Sequence, residues 1–462
     1  MSHNVVIIGS GPAGMAAAKT LVDKGIHPIV IDENDRSGGQ IYRQQPSNFT
    51  RSKKQLYGFD AKEAEQTLSE WQTIADQLTY LPNHLVWNAV GKTLYLFNQN
   101  KPGYREIEWD SLIVANGATD RILPFKGWTL PGIYTLGAAQ IALKNQGCLI
   151  GQSVVLAGNG PLLYLLAWQY LKAGANIKAI LDYSGFMDQC KATTKLLHAP
   201  KVVYKGLYFL AELKRAGVKI VYNARLDSAA GDEKVTGIFW HKQGQSQASE
   251  YLECDSVAFG YGLRSETQIP DLLGCQFHYH PEYRDWLPVL DNQQTSVPDL
   301  YLAGDGCGIA GVYAAKLSGE KAANQILQKL NLPVSTHDIS NIDKQLGHFT
   351  TFSYGLTQAF PFPTTWAQEV PDETVICRCE NVTAGDIRTM VRDRNCQEMN
   401  QLKAHCRSGM GRCQGRVCGT AIRELLAYET RQSSDAVGRI RAQSPLKPIP
   451  IIVEEEFADE HH

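Results

Sequence analysis

Residues 4–8 are apolar almost throughout, the pattern of a buried parallel strand. The strand enters a turn with Gly9, Gly11 and Gly14 in G-x-G-x-x-G spacing, Pro12 and Ala13 lying inside it. MAAAKTLVDKG then reads as a helix, and a second apolar run, HPIVID, ends at Asp32. Strand, glycine turn, helix, strand and acid together make a dinucleotide-binding unit. The first glycine makes the tight turn and the second admits the pyrophosphate. The third lets helix and strand close up, with the helix N-terminus toward the phosphates. Asp32 is the acid expected on the ribose hydroxyls, and Glu33 is the adjacent alternative.

Three later stretches favour FAD over NAD as the dinucleotide. GGQIYRQ, with Gly39 and Gln40, is a glycine-rich loop just after the acid. SLIVANGATDR is a hydrophobic strand that runs through Ala115 into Asn116 and Gly117. TSVPDLYLAGDG is a strand ending at Gly304 and Asp305, and the next helix is expected to begin near Gly311, its positive end toward the flavin. These resemble the later motifs of two-dinucleotide-domain flavoproteins, in which the aspartate contacts the ribityl chain. The FAD domain is therefore discontinuous, 1–144 and 266–335.

Between its halves, QSVVLAGNGPLLYLLAWQYLKAGANIKAILD repeats the strand–glycine–helix–strand plan with Gly158 and Gly160. This predicts a second nucleotide domain over 145–265. Leu163 stands at the third glycine position, and Asp182 ends the next strand. The ligand is a second nucleotide, NAD(P) or ATP, or the unit is a retained scaffold. No C-x4-C follows the GGQ loop and no C-x2-C lies in the inserted domain, which argues against a disulfide reductase. Cys307, near the expected flavin, reads as a packing residue.

Near the C-terminus stand Cys377 and Cys379, then, after 33 residues, Cys413 and Cys418. Four thiolates suit zinc or an iron–sulfur cluster. Zinc sites usually space their paired cysteines more widely than C-x-C, so [2Fe–2S] is favoured. Glycines at 409, 411, 415 and 419 free backbone N–H groups to point at sulfur. From Cys377 to Cys418 there are eight Lys/Arg and four Asp/Glu, a balance that offsets cluster charge, docks an acidic partner, or is simply solvated surface. Cys406 leaves the ligand set open. The cluster domain is expected over 372–430. A connector over 336–371, rich in proline and aromatics at FPFPTTW, precedes it, and 431–462 reads as a Pro-rich extended tail with an acidic, mobile end.

At 462 residues the chain is long enough for two or three domains. A formal net charge of -2 gives no sign of nucleic-acid or anionic-membrane binding. No apolar run reaches the ~18–20 residues of a membrane span, and the N-terminus lacks a signal-peptide pattern. A cytoplasmic location is expected. Eleven cysteines there point to metal or redox chemistry at some of them rather than to a disulfide framework. Cys148, Cys190, Cys254, Cys275 and Cys396 read as small buried hydrophobes.

GSGPAGMAAA, GGQIYRQ, PFKGWTLPGIYTLGAAQ, LAGNGPLL, GYGL, YLAGDGCGIAG, VICRCENVT and GMGRCQGRVC, in that order, resemble the FAD- and iron–sulfur-containing α (A or B) subunits of heteromeric amine dehydrogenases. That family includes the A-type subunits of opine oxidase, the B-type subunits of hydrogen cyanide synthase, and the α subunits of proline and hydroxyproline dehydrogenases, with sarcosine oxidase α more distant. The resemblance implies an α/β fold: two Rossmann-like domains of the disulfide-reductase-like flavoprotein type, plus a small helical BFD-like [2Fe–2S] domain. It carries over Gly9, Gly11, Gly14, Asp32, Gly39, Gln40 and Asp305 as FAD contacts and Cys377, Cys379, Cys413 and Cys418 as cluster ligands. It also implies partners: a flavoprotein β subunit that oxidises the C–N bond of an amine substrate, and a small iron–sulfur subunit. Three positions depart from the family pattern: Asn116 for Thr, Arg264-Ser265 for Val-Pro, and Cys406 for Thr.

No His/Asp or Ser/His arrangement marks an acid–base catalyst, so no catalytic residue is expected on this chain. The favoured reading is an electron relay. A self-sufficient NAD(P)H-dependent reductase and a scaffold with vestigial sites are the alternatives.

Overall fold

A computed structural model describes residues 3–46, 48–49, 51–244 and 249–451. The acidic end of the chain lies outside the described residues.

The first apolar run forms the strand Val5–Ile8, buried at every position. It pairs in parallel with Ile29–Ile31 on one side and Ser111–Val114 on the other. Leu300–Leu302 joins Ser111–Val114 in parallel, although 185 residues separate Val114 from Leu300 in sequence, and Thr79–Leu81 extends the other edge. The sheet therefore gathers distant motifs at the carboxyl ends of its strands, where open α/β sheets bind ligands. The helix Pro12–Val22 lies on the sheet and packs along Val312–Lys329. A Cβ at Gly319 would come 2.1 Å from the Ala13 carbonyl oxygen, so this close helix crossing requires glycine.

The second sheet has the parallel order Ile220–Tyr222, Asn176–Asp182, Ser153–Asn159, Ser256–Tyr261, Ile133–Thr135. Residues 133–144, which the sequence pattern assigns to the FAD domain, belong spatially here. Ile133–Thr135 is an edge strand, and Leu136, Ala139 and Leu143 of the following helix enter this sheet's core. A short antiparallel pair, Ala118–Asp120 with Leu263–Ser265, carries the chain between the two units.

The stretch read as a connector contains a long helix, Thr336–Ala359, capped by Ser335 Oγ accepting from the Asp338 N–H. After it, Phe360 to Pro363 cross the surface of the second unit. The C-terminal unit has its own core around Ile376, Ile387, Leu402, Ile422 and Leu425. It consists of a small hairpin and the helices Ala384–Arg394, Met399–Cys406 and Gly419–Thr430. Buried Arg423 anchors it to the body, donating to Asp285 Oδ1 at 3.1 Å and to the Arg284 carbonyl at 2.6 Å. Burial alone would raise the Asp285 pKa; Arg264, Arg423 and Arg121 outweigh it and hold the carboxyl below its ordinary range.

The segment after residue 431 forms no strand among the described residues, yet it is tied down. Arg439 makes a two-pronged pair with Asp271 (2.5 and 2.6 Å), and the Leu446 N–H donates to the Trp87 carbonyl at 2.9 Å.

Candidate functional site: a flavin cradle and a thiol cluster

The first glycine loop is built by close approach. Gly9 has φ +100°, and a Cβ there would lie 2.5 Å from the Ala115 carbonyl oxygen. At Gly14 a Cβ would lie 1.8 Å from the Gly9 oxygen, which is why helix and strand meet only through glycine. Gly39, at φ +59°, would press a Cβ to 2.8 Å from Gly11 Cα, so the GGQ loop lies directly over the first loop. The Gly38 N–H donates to the Ser10 carbonyl at 2.8 Å and locks that placement. Gln40 is exposed at its rim.

Asp32 is buried with both carboxylate oxygens engaged. Oδ2 accepts from the Ser10 N–H (2.6 Å) and hydroxyl (2.7 Å), and Oδ1 from the Asn34 N–H and Nδ2, both at 2.8 Å. Asp32 thus shapes the loop. The adjacent Glu33 pairs with Lys447 of the C-terminal segment. Sequence reasoning misses both Ser10 and Lys447; Ser10 stands in view within G-S-G, whereas Lys447 carries no local signal.

The other predicted residues close the same crevice. Ala115 and Gly117 follow Ser111–Val114. The Gly304 N–H donates to Ser318 Oγ at 2.6 Å, and Gly311 is the N-cap of the Val312–Lys329 helix. Burial raises Asp305 to about 6, opposed by the N–H groups of Ala310 and Gly311. The glycine contacts and the helix N-terminus fit a dinucleotide laid along the strand ends.

The second loop looks similar but is closed. Gly158, at φ +119°, matches Gly9 at +100°, whereas Gly160, at +102°, departs from Gly11 at -73°. Leu163 is fully buried at the third position. Asp182 is occupied: Tyr164 donates its hydroxyl at 2.5 Å, and Ser184 donates both its hydroxyl and its N–H. Asn159, between the two glycines, donates Nδ2 to the Pro361 carbonyl at 2.7 Å. Phe360 packs near Tyr164, and Phe362 lies beneath the guanidinium groups of Arg121 and Arg284. The FPFP stretch therefore runs across the end of this strand.

The four predicted cysteines come together from opposite ends of the C-terminal unit. Cys377 ends one strand of the hairpin, and Cys418 is the N-cap of the last helix. Each thiol of the first pair meets one of the second: Cys377 with Cys418, and Cys379 with Cys413. Cys418 also meets Cys413. The hydrogen bond with Cys418 is the main reason the Cys377 thiol falls to about 6, and the same partner lowers Cys413. Cys418 is raised as the donor to both. Backbone N–H groups of Gly409, Glu380 and Cys379 point at Cys377, and those of Val417 and Gly415 at Cys413. A Cβ at Gly411 would sit 2.3 Å from Cys379 Cβ. Among the described residues no three His, Cys, Asp or Glu side chains are grouped as a single-ion site requires. Four thiols in one chain of contacts, Cys377 to Cys418 to Cys413 to Cys379, with N–H donors around them, suit a two-iron cluster, which takes two thiolates per iron. Cys406 stands apart, its thiol directed to the Leu402 carbonyl (3.2 Å) and the Ser408 hydroxyl (3.0 Å).

One short segment touches both sites. The Glu266 N–H donates to the Gly117 carbonyl at 3.0 Å and Ser265 Oγ to the Asp305 carbonyl at 2.5 Å, both on the cradle. Arg264 Nη1 reaches the Gly415 carbonyl at 3.4 Å, Gln268 Nε2 the Gln414 carbonyl at 2.8 Å, and Glu266 pairs with Arg416 at 2.7 Å, all on the cysteine loop.

Residues 3–319 match the model of the pyridine nucleotide-disulphide oxidoreductase family, and residues 375–428 match the BFD-like [2Fe-2S] binding domain. The A-type subunit of opine oxidase from Rhizobium meliloti is 36% identical, over 97% of this chain and 86% of the relative. The chain belongs to this family. Hydrogen cyanide synthase subunit HcnB of Pseudomonas protegens is 32% identical, over 97% of each chain. The L-proline dehydrogenase structure from P. horikoshii superposes with a TM-score of 0.70 at 19% identity, covering 97% of this chain and 78% of that one, which supports the fold. The protein is a FAD-dependent oxidoreductase with a [2Fe–2S]-binding domain. No helix among the described residues is long and apolar enough to cross a membrane.

Proposed function

We propose that this chain is the electron-relaying subunit of a heteromeric amine, imino-acid or opine dehydrogenase, whose partner flavoprotein oxidises the substrate C–N bond. The observation that carries the reading is the 264–268 segment, which touches the flavin cradle and the cysteine loop at once. The names of the relatives, each a subunit, support a partner chain. A small iron–sulfur subunit is a further partner in this reading.

Gly9, Gly11, Pro12, Ala13 and Gly14 would hold the FAD pyrophosphate. Asp32 would fix the loop and Glu33 the ribose. Gly39, Gln40, Ala115, Gly117, Gly304, Asp305 and Gly311 would line the rest of the cofactor. Cys377, Cys379, Cys413 and Cys418 would hold the cluster. A bound flavin would accept two electrons together and release them singly, and a cluster held by these cysteines would carry them one at a time, so the pair would convert a two-electron oxidation into one-electron output. The chain's own part is to exclude water, fix both groups and hold charge near them.

The closed mouth at Asn159 and Pro361 disfavours hydride entry from NAD(P)H, and with it the reductase reading. It equally disfavours ATP at Gly158 and Gly160. All eleven cysteines are free, which supports a reducing compartment, the cytoplasm. The test is co-purification with the candidate flavoprotein partner, followed by a screen of amino acids and opines against a dye acceptor. Turnover that needs both chains supports the reading, and amine oxidation by this chain alone defeats it.

A further inference from the structure

In an electron relay, the surroundings of the cluster thiolates set its readiness to accept an electron. Backbone N–H groups aimed at thiolate sulfur stabilise the more negative reduced state, and they do so more strongly when their own carbonyl side is polarised. The Gly415 N–H is one such donor, to Cys413. It shares a peptide unit with the Gln414 carbonyl. That carbonyl accepts from Gln268 Nε2 at 2.8 Å, and Gln268 does not belong to the cysteine unit. It opens the helix Gln268–Leu272, two residues after Glu266, whose N–H is bonded to Gly117 in the flavin cradle. The result is a continuous line: Gln268 amide, Gln414 carbonyl, Gly415 N–H, Cys413 sulfur.

The peptide needs holding. Gln414 and Gly415 both have positive φ, +50° and +78°, a conformation that is uncommon for a non-glycine residue and costs it some strain. The Gln414 side chain is itself engaged with the Met410 and Gly411 carbonyls. Arg264 brings a guanidinium to the next carbonyl, that of Gly415, and its Nη1 would lie 3.2 Å from a Cβ at Gly419. Both contacts come from the flavin-bearing body and act on the loop between Cys413 and Cys418.

We propose that Gln268 is a positioning residue for the cluster: it orients and polarises the 414–415 peptide toward Cys413 and so raises the cluster's reduction potential. The inference rests on the ligand assignment proposed above. In this account the body of the protein, not the cysteine unit alone, tunes the electron acceptor, and the tuning is lost when the two units separate.

The experiment is an EPR-monitored redox titration of the full-length protein, wild type against Gln268→Met, which keeps the length and removes the donor. The expected result is an intact cluster absorbance, a cluster potential shifted to more negative values and an unmoved flavin potential. Gln268→Lys, which restores a donor of similar reach, should return the potential to the wild-type value or above. A Gln268→Met protein with its cluster intact and its potential unchanged overturns the proposal. If the Met variant loses its cluster, Gln268→Asn, shorter by one methylene, decides by the same criterion. A wild-type chain with no cluster after reconstitution with iron and sulfide would instead defeat the ligand assignment, which keeps the two failures distinct.

Discussion

Asn159 donates its side-chain amide to the carbonyl of Pro361, 2.7 Å away, across the mouth of the second glycine loop. A nucleotide pyrophosphate would have to reach the same strand end. Asp182, the acid that would meet its ribose, already accepts from Tyr164 and Ser184. Neither NADH nor NADPH should therefore bleach the flavin of the isolated chain under anaerobic conditions. Rapid loss of the oxidised flavin absorbance on mixing would show an open hydride path and support the reductase reading.

Gly14 is the least replaceable residue of the cradle. A methyl group there meets the Gly9 oxygen at 1.8 Å, so Gly14→Ala forces the helix off the strand. Overpacking of this kind costs about 1–3 kcal/mol, and the displaced helix no longer points its N-terminus at the phosphates. The variant should purify with little FAD, measured by absorbance ratio. Stoichiometric flavin would mean that the cofactor does not lie along this loop.

Cys413→Ser should abolish the visible absorbance of the cluster and its iron content while the flavin remains. Cys406→Ala should keep both, because the Cys406 thiol faces Leu402 and Ser408 rather than the other four. The pair of variants separates the two ligand sets that sequence spacing leaves open, and a cluster lost only in the Cys406 variant would reverse the assignment.

Much of this is legible in the sequence, and the exceptions have physical causes. The glycine loops are local: spacing at Gly9, Gly11 and Gly14 encodes a turn whatever lies elsewhere. The gathering of the cysteine pairs is nearly as local, within one small core. The helix at 336–359 is hidden because Gly347, Gly355 and several β-branched and aromatic residues weaken its intrinsic propensity. It forms by packing against neighbouring helices, with Gly355 close to Lys195 and Leu196. Asn159 with Pro361, Glu33 with Lys447 and Gln268 with Gln414 join positions far apart in the chain, and no periodicity reports such contacts. Arg264 is visible as a departure from the family pattern, and its partner, the Gly415 carbonyl, gives that departure a structural meaning.

Burial raises the Asp182 pKa to about 6 despite its hydrogen bonds. The folded state therefore holds this proton more tightly than the unfolded chain, whose aspartates titrate near ~3.9. The contribution of Asp182 to stability is greatest below that lower value and is lost as pH rises through the window to about 6. A shift of this size corresponds to a loss on the order of 3 kcal/mol. Asp182→Asn, which keeps the shape and removes the charge, should flatten the pH dependence of the thermal midpoint between roughly pH 4 and 6. An unchanged slope would indicate that Asp182 is ionised at no cost.

The relay itself is tested most directly by adding the amine substrate anaerobically to the assembled complex and following the cluster's EPR signal. Substrate should reduce the cluster in the complex but not in this chain alone. Cys413→Ser should halt transfer to a one-electron acceptor while the flavins are still reduced. A cluster that stays oxidised while the complex turns over, or a chain that oxidises the amine without its partner, would contradict it.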